Sequence, residues 1–280
     1  MRIGVALGSG AARGLAHIPY IEAMDELGLS PSVIAGSSIG ALIGSGWANG
    51  MTGAELREHA YSVLGSLKQI ANTLWTRNRP DFKQVLATGL SVQVRSEGIA
   101  NAFLPEGFPD DFAELKVPFL VAATDFYGWS EVMFESGPLR SAIAASMAIP
   151  SLFRPVLIDG SYYIDGGVTN PLPLGYIQDR CDVLIGIDVH RTPDPTLERT
   201  EPSIVDAAVI STEIMSQKLV DATVLRYPPD VYVRAEVGPF GGREFWRVRE
   251  IVENATADKD RFKRAVSDAL LANSLKRAAR

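Results

Sequence analysis

The stretch that most restricts the fold is 33–43, VIAGSSIGALI. An apolar, β-branched opening reads as a buried strand, and the small apolar residues after Gly40 read as a helix. Only a tight turn fits between them, with Ser38 at its apex, which is the G-x-S-x-G form of a nucleophile elbow. Gly36 and Gly40 flank the apex because strand and helix close around those positions, where a Cβ would clash. The helix aims its first N–H groups at the turn and favours negative charge there. Gly and Ser are also common in ordinary turns, so the pattern needs partners elsewhere in the chain before it means catalysis.

The remaining chain repeats the strand–helix alternation. Residues 2–7 (RIGVAL) form a buried run, followed by the small-residue loop 8–14 (GSGAARG). Leu15, Ile18, Ile21, Met24 and Leu27 then recur every third residue, with Glu22, Asp25 and Glu26 off that stripe, and Gly28 ends the helix. Pro19 fits the first turn of that helix. Thr52 with Glu55 marks another helix start. Through 52–112 the periodicity weakens, and the segment reads either as a helical cap over one end of the sheet or as peripheral packing. Residues 117–124 (VPFLVAAT) and 183–189 (VLIGIDV) are buried strands, with residues 131–135 pairing beside the first. Residues 138–148 are a helix, 156–164 a hairpin turning at Asp159-Gly160, 203–226 a helix, 231–237 a strand, and 244–272 one or two helices. Buried runs alternating with helices predict an α/β fold with a mostly parallel central sheet covered on both faces.

Length, charge and cysteine content exclude several classes. The chain has 280 residues, a net charge of −6, one cysteine and three histidines. An acidic balance disfavours nucleic acid as a partner. Cys181 alone forms no intrachain disulfide and fits a reducing compartment, and it reads as a small buried residue at a strand start. The sequence has no apolar run long enough for a transmembrane helix, and the N-terminal apolar run is too short and interrupted for a signal peptide. The expectation is a cytoplasmic protein. No metal-ligand spacing is present, so neither metal nor organic cofactor is expected.

The glycine-rich loop admits more than one chemistry. A phosphate-binding P-loop would need Lys-Ser or Lys-Thr after its last glycine, and neither is there. A dinucleotide site would need an acidic residue ending the second strand, where Ala35-Gly36-Ser37-Ser38 stands instead, so a dinucleotide-dependent oxidoreductase is disfavoured. An oxyanion hole made of backbone N–H groups remains, beside Ser38 at the carboxyl end of the sheet. For the base, His17 reads as structural, His59 as solvated, and His190 with Asp188 as a triad candidate. Asp165, presented by Gly166-Gly167, is a carboxylate alternative, with Asp125 behind it.

Three ordered blocks resemble the patatin-like phospholipase family. They are residues 7–18 (LGSGAARGLAHI), 36–40 (GSSIG) and 164–173 (IDGGVTNPLP), and residues 145–155 (ASMAIPSLFRP) match the segment preceding the last. The resemblance covers about residues 1–190. It implies a three-layer patatin-like α/β fold as a single domain over 1–280, with a catalytic core in 1–190 and a C-terminal extension in 191–280. It also implies a Ser38–Asp165 dyad without histidine. Ser9, Gly10 and Ala11 would supply the oxyanion hole, with Arg13 ordering the loop and Gly14, Gly36, Gly40, Gly166 and Gly167 supporting it. The implied activity is hydrolysis of lipid acyl or carboxyl esters, with phospholipids, lysophospholipids or simpler fatty-acyl esters as substrates and transient contact with a membrane surface. The alternative is a catalytically weak lipid-binding protein on the same fold. Ser9 and Ala11 depart from the consecutive glycines of the family. A negative φ at Ala11 leaves its amide a sound donor, whereas a positive φ strains the loop.

Overall fold

The computed structural model describes residues 1–65, 98, 100, 103–150, 152–192, 201–242 and 244–278. Five strands form the parallel part of the sheet: β1 (Ile3–Leu7), β2 (Val33–Ser37), β3 (Phe119–Asp125), β7 (Val183–Asp188) and β8 (Val231–Arg234), in the order β3-β2-β1-β7-β8. Three antiparallel strands extend it: β4 (Ser130–Phe134), β5 (Val156–Ile158) and β6 (Ser161–Asp165). The β5–β6 loop has Asp159 at φ 48° and Gly160 at φ 85°, the doubly positive pair that a two-residue hairpin requires.

The register at β3 decides where the site lies. Val121 and Ala122 pair with both β2 and β4, so those strands occupy opposite edges of β3. Residues 123–125 pair with both β4 and β6. Strand β6 therefore takes over the edge that β2 leaves, and the carboxyl ends of β2 and β6 meet, with Ser37 opposite Ala122 and Asp165 opposite Ala123.

Alternating strand residues feed two cores. On one face Val5, Leu7, Ile34, Val121 and Ile185 pack with α1 (His17–Glu26), α2 (Ile39–Ala48), α3 (Gly53–Leu64), α4 (Leu139–Ser146), α6 (Val248–Thr256) and α7 (Lys259–Ala278). On the other, Ala6, Ala35, Leu120 and Leu184 pack with Leu172, Leu174, Ile177 and Val220 of α5 (Ile204–Arg226). Helix α2 is buried all round, as befits an apolar helix inside a core. At the head of α3, Thr52 Oγ1 accepts from Glu55 N and Glu55 Oε2 accepts from Thr52 N, a reciprocal capping box. Leu56, Ala60 and Val63 of α3 join the main core, while residues 66–97 of the anticipated cap lie outside the described residues. The C-terminal helices share that core, with Phe262 edge-on to Tyr20 at 5.0 Å. Among the described residues no helix is long and apolar enough to cross a membrane.

Candidate active site

Ser38 is held in a conformation that L-residues avoid, φ 54° and ψ −122°. Packing over-determines it. A Cβ on Gly36 would lie 2.5 Å from Gly40 O, and one on Gly40 would lie 2.3 Å from Leu7 O, so only glycine lets β1, β2 and α2 meet this closely. Ser38 N donates to Ser146 Oγ at 2.8 Å, which ties the turn to the last residue of α4. The meeting of β2 and β6 then brings Ser38 to Asp165. Ser38 Oγ donates to Asp165 Oδ2 at 2.6 Å, and Gly167 N donates to Asp165 Oδ1 at 2.7 Å. Asp165 is fixed further by Asp165 N on Ala148 O at 3.1 Å and by Thr124 Oγ1 donating to Asp165 O at 2.9 Å. Gly166 lies flat on β3, where a Cβ would be 2.3 Å from Ala122 O. Burial pushes the Asp165 carboxyl up to about 6, against the two hydrogen bonds that favour its ionised form.

The glycine-rich loop lies beside this pair. Ser9 N donates to Pro171 O at 2.8 Å and Ala12 N to Gly242 O at 2.9 Å. The Ser9 amide is therefore engaged, and the donor set expected from Ser9, Gly10 and Ala11 narrows to Gly10 and Ala11. Neither of those amides has an acceptor among the described residues. Ala11 has φ 50°, the strained alternative. Arg13 is buried; its guanidinium pairs with Glu213 at 3.0 Å and donates to Phe240 O at 3.4 Å. A Cβ on Gly14 would lie 1.9 Å from Ile39 Cγ2, so the loop rests directly on the start of α2. A cavity of about 60 Å³ is lined by Ser9, Gly10, Ala11, Ser38, Asp165 and also by His190 and Ser216.

The other candidates have different surroundings. Asp125 Oδ1 caps its own turn by accepting from Tyr127 N and Gly128 N. His17 is buried against Gly8 O at 2.8 Å, and burial lowers its pKa to about 4. His59 is half-buried, with Nε2 on Phe103 O at 2.6 Å, rather than solvated. Cys181 is half-buried just before β7, its Sγ on Ile177 O. His190 does reach Asp188, Nδ1 to Oδ1 at 2.7 Å, but its Nε2 meets Ser216 Oγ at 2.9 Å and not Ser38. Sequence reasoning missed Ser146, Glu213 and Ser216. The match of 145–155 pointed to the first, and no local signal marked the two on α5.

The model of the family described as patatin-like phospholipase matches residues 5–177. Uncharacterized NTE family proteins of Mycobacterium bovis and Mycobacterium tuberculosis are each 34% identical over 206 residues, covering 72% of this chain and 53% of theirs. The chain thus spans about half the length of those relatives. A lysophospholipase NTE1 of Pyricularia oryzae is 25% identical over 276 residues, covering 90% of this chain and 18% of its own. Among solved structures, VipD from Legionella pneumophila aligns at TM-score 0.43 and 14% identity, covering 94% of this chain and 66% of that one. With its elbow, glycine-rich loop and Asp-Gly-Gly turn all inside the matched span, the chain belongs to the patatin-like phospholipase family.

Proposed function

We propose that the chain hydrolyses lipid acyl or carboxyl esters through a Ser38–Asp165 dyad. The observation that carries this reading is the 2.6 Å hydrogen bond from Ser38 Oγ to a buried carboxylate. Ser38 attacks the ester carbonyl and Asp165 takes its proton. A pKa of about 6 keeps Asp165 ionised at neutral pH yet close enough to accept and return a proton. The oxyanion sits on the amides of Gly10 and Ala11, each worth roughly 3–4 kcal/mol when well aligned. Asp165 then protonates the leaving alcohol and activates water to clear the acyl-enzyme.

Membership of the family and likeness to lysophospholipases support a lipid substrate. An apolar cavity of about 40 Å³ lies behind the elbow, lined by Leu15, Ile39, Leu42, Leu56, Phe103 and Phe245, and would take part of an acyl chain. Exposed Phe126, Tyr127, Trp129 and Tyr162 offer an aromatic edge of the kind that settles at a lipid–water interface. Arg277, near the C-terminus, pairs with Asp182 at 2.7 Å and is less available for anionic lipid. The strained Ala11 favours the weaker-turnover alternative.

Fluorophosphonate labelling with peptide mapping tests the dyad. The adduct is expected on Ser38, and Ser38→Ala is expected to lose at least 100-fold in hydrolysis of p-nitrophenyl acyl esters. Unmodified Ser38 together with unchanged hydrolysis by Ser38→Ala would overturn the proposal.

A further inference from the structure

The cavity that holds the dyad has a second wall with a serine of its own. Asp188 is fully buried at the end of β7. Its Oδ1 accepts from His190 N at 3.0 Å and from Nδ1 at 2.7 Å, and its Oδ2 accepts from Tyr232 Oη at 2.8 Å and Arg234 Nε at 2.6 Å. Burial alone would raise this carboxyl, but the His190 ring and amide and the Arg234 guanidinium hold it well below the usual carboxylate range. An ionised Asp188 keeps the imidazole proton on Nδ1. In the neutral ring Nε2 is then an acceptor, so Ser216 Oγ, 2.9 Å away, donates to it. Ser216 Oγ in turn accepts from Ser9 Oγ at 3.2 Å. The result is an Asp–His–Ser array in hydrogen-bonding register.

Two features set this array apart from ordinary polar packing. Ser216 and His190 line the same cavity as Ser38 and Asp165. Residues 188, 190 and 216 all lie beyond the span that matches the family model.

We propose that Ser216 is a second nucleophile, activated by His190 and Asp188, that takes acyl or phosphonyl groups from the ester class entering this cavity. Ser216 Oγ bonds to the carbonyl carbon while its proton passes to His190 Nε2. The oxyanion falls to the amides of Gly10 and Ala11, which line the same space. The carbon–oxygen bond to the alcohol breaks, and the alcohol leaves with the proton from Nε2. Water then attacks the acyl group, gives a proton to Nε2, and that proton returns to Ser216 Oγ as the acid departs. This array stands on its own geometry and does not depend on the dyad.

The test is fluorophosphonate labelling of the whole chain carrying Ser38→Ala, with peptide mapping. Here Ser216 Oγ bonds to phosphorus, fluoride leaves, and the proton goes to His190. An adduct on Ser216 is expected, formed at least 100-fold more slowly when His190→Gln is added, with cooperative thermal unfolding showing that each variant is folded. Exhaustive labelling of folded Ser38→Ala without an adduct on Ser216, or labelling indifferent to His190→Gln, overturns the proposal. A wild-type chain labelled at Ser216 but not at Ser38 would instead sink the dyad and leave this array standing.

Discussion

Asp165→Asn should separate activity from stability, because the geometry that makes Asp165 useful also makes it unfavourable to bury. The carboxyl titrates at 3.8 in its ordinary state and at about 6 in the fold. Between those values the folded protein holds a proton that the unfolded chain has released. The unfolded state then binds fewer protons, so stability declines as pH rises through that interval. Below 3.8 both states are protonated and the penalty vanishes, and above about 6 it is complete. At 1.36 kcal/mol for each pH unit, the interval amounts to about 3 kcal/mol. Asparagine removes the buried charge, and its side-chain carbonyl can still accept from Gly167 N. At pH 8 the variant is expected to be more stable than wild type by about 3 kcal/mol, or roughly 5–10 °C in Tm. At pH 4 the two should converge. Hydrolysis at pH 8 should fall by a factor of roughly 10²–10⁴, the usual contribution of a positioned base. Urea unfolding at pH 4, 6 and 8, with ester turnover, measures both effects. A variant no more stable than wild type at pH 8, or with an equal advantage at pH 4, would refute this account of the site.

Other variants probe the surroundings of the dyad. Wild-type kcat/KM should lose tenfold for each pH unit below about 6, as a single ionisation of Asp165, read from a pH–rate profile of the free enzyme. Ser146→Ala strips the acceptor from Ser38 N; a loss of about 1–3 kcal/mol is expected in urea unfolding, with kcat falling while KM holds. Ala11→Gly relieves a left-handed residue and should gain up to about 1 kcal/mol together with a higher kcat. Gly40→Ala drives a methyl into Leu7 O and should cost about 3 kcal/mol, seen as a lowered Tm and lost labelling of Ser38.

Much of this site could be read from the sequence because its pieces are local. The elbow, the Asp159-Gly160 hairpin and the Thr52–Glu55 capping box each follow from neighbouring residues with steric or hydrogen-bonding demands. Asp165 stands out as a carboxylate presented by two glycines, but an Asp-Gly-Gly by itself is an ordinary turn, and the family resemblance gives it the role of base. What stayed hidden depends on tertiary register. Nothing local says that β6 runs antiparallel along the edge of β3 that β2 vacates, yet that register joins Ser38 to Asp165. Ser216 reaches Ser9 across 207 positions, from a helix whose exposed and buried residues give no amphipathic clue at that point. The sequence pairs His190 with Asp188 as a triad candidate, but residues two apart on a strand share a face without needing to touch, so the contact itself comes only with the fold.

The shared edge of β3 also sets how this protein can be altered. Ser38 and Asp165 are 127 positions apart, yet their spacing is measured by a few rungs of one strand, which serves as a common ruler for both. Helix α2 belongs to that measurement, since its Gly40 packs on Leu7 O, whereas α3 beyond it lies off the ruler. Substitutions on α3, whose Leu56 lines the apolar cavity, can therefore change what that cavity accepts while the ruler stays in place.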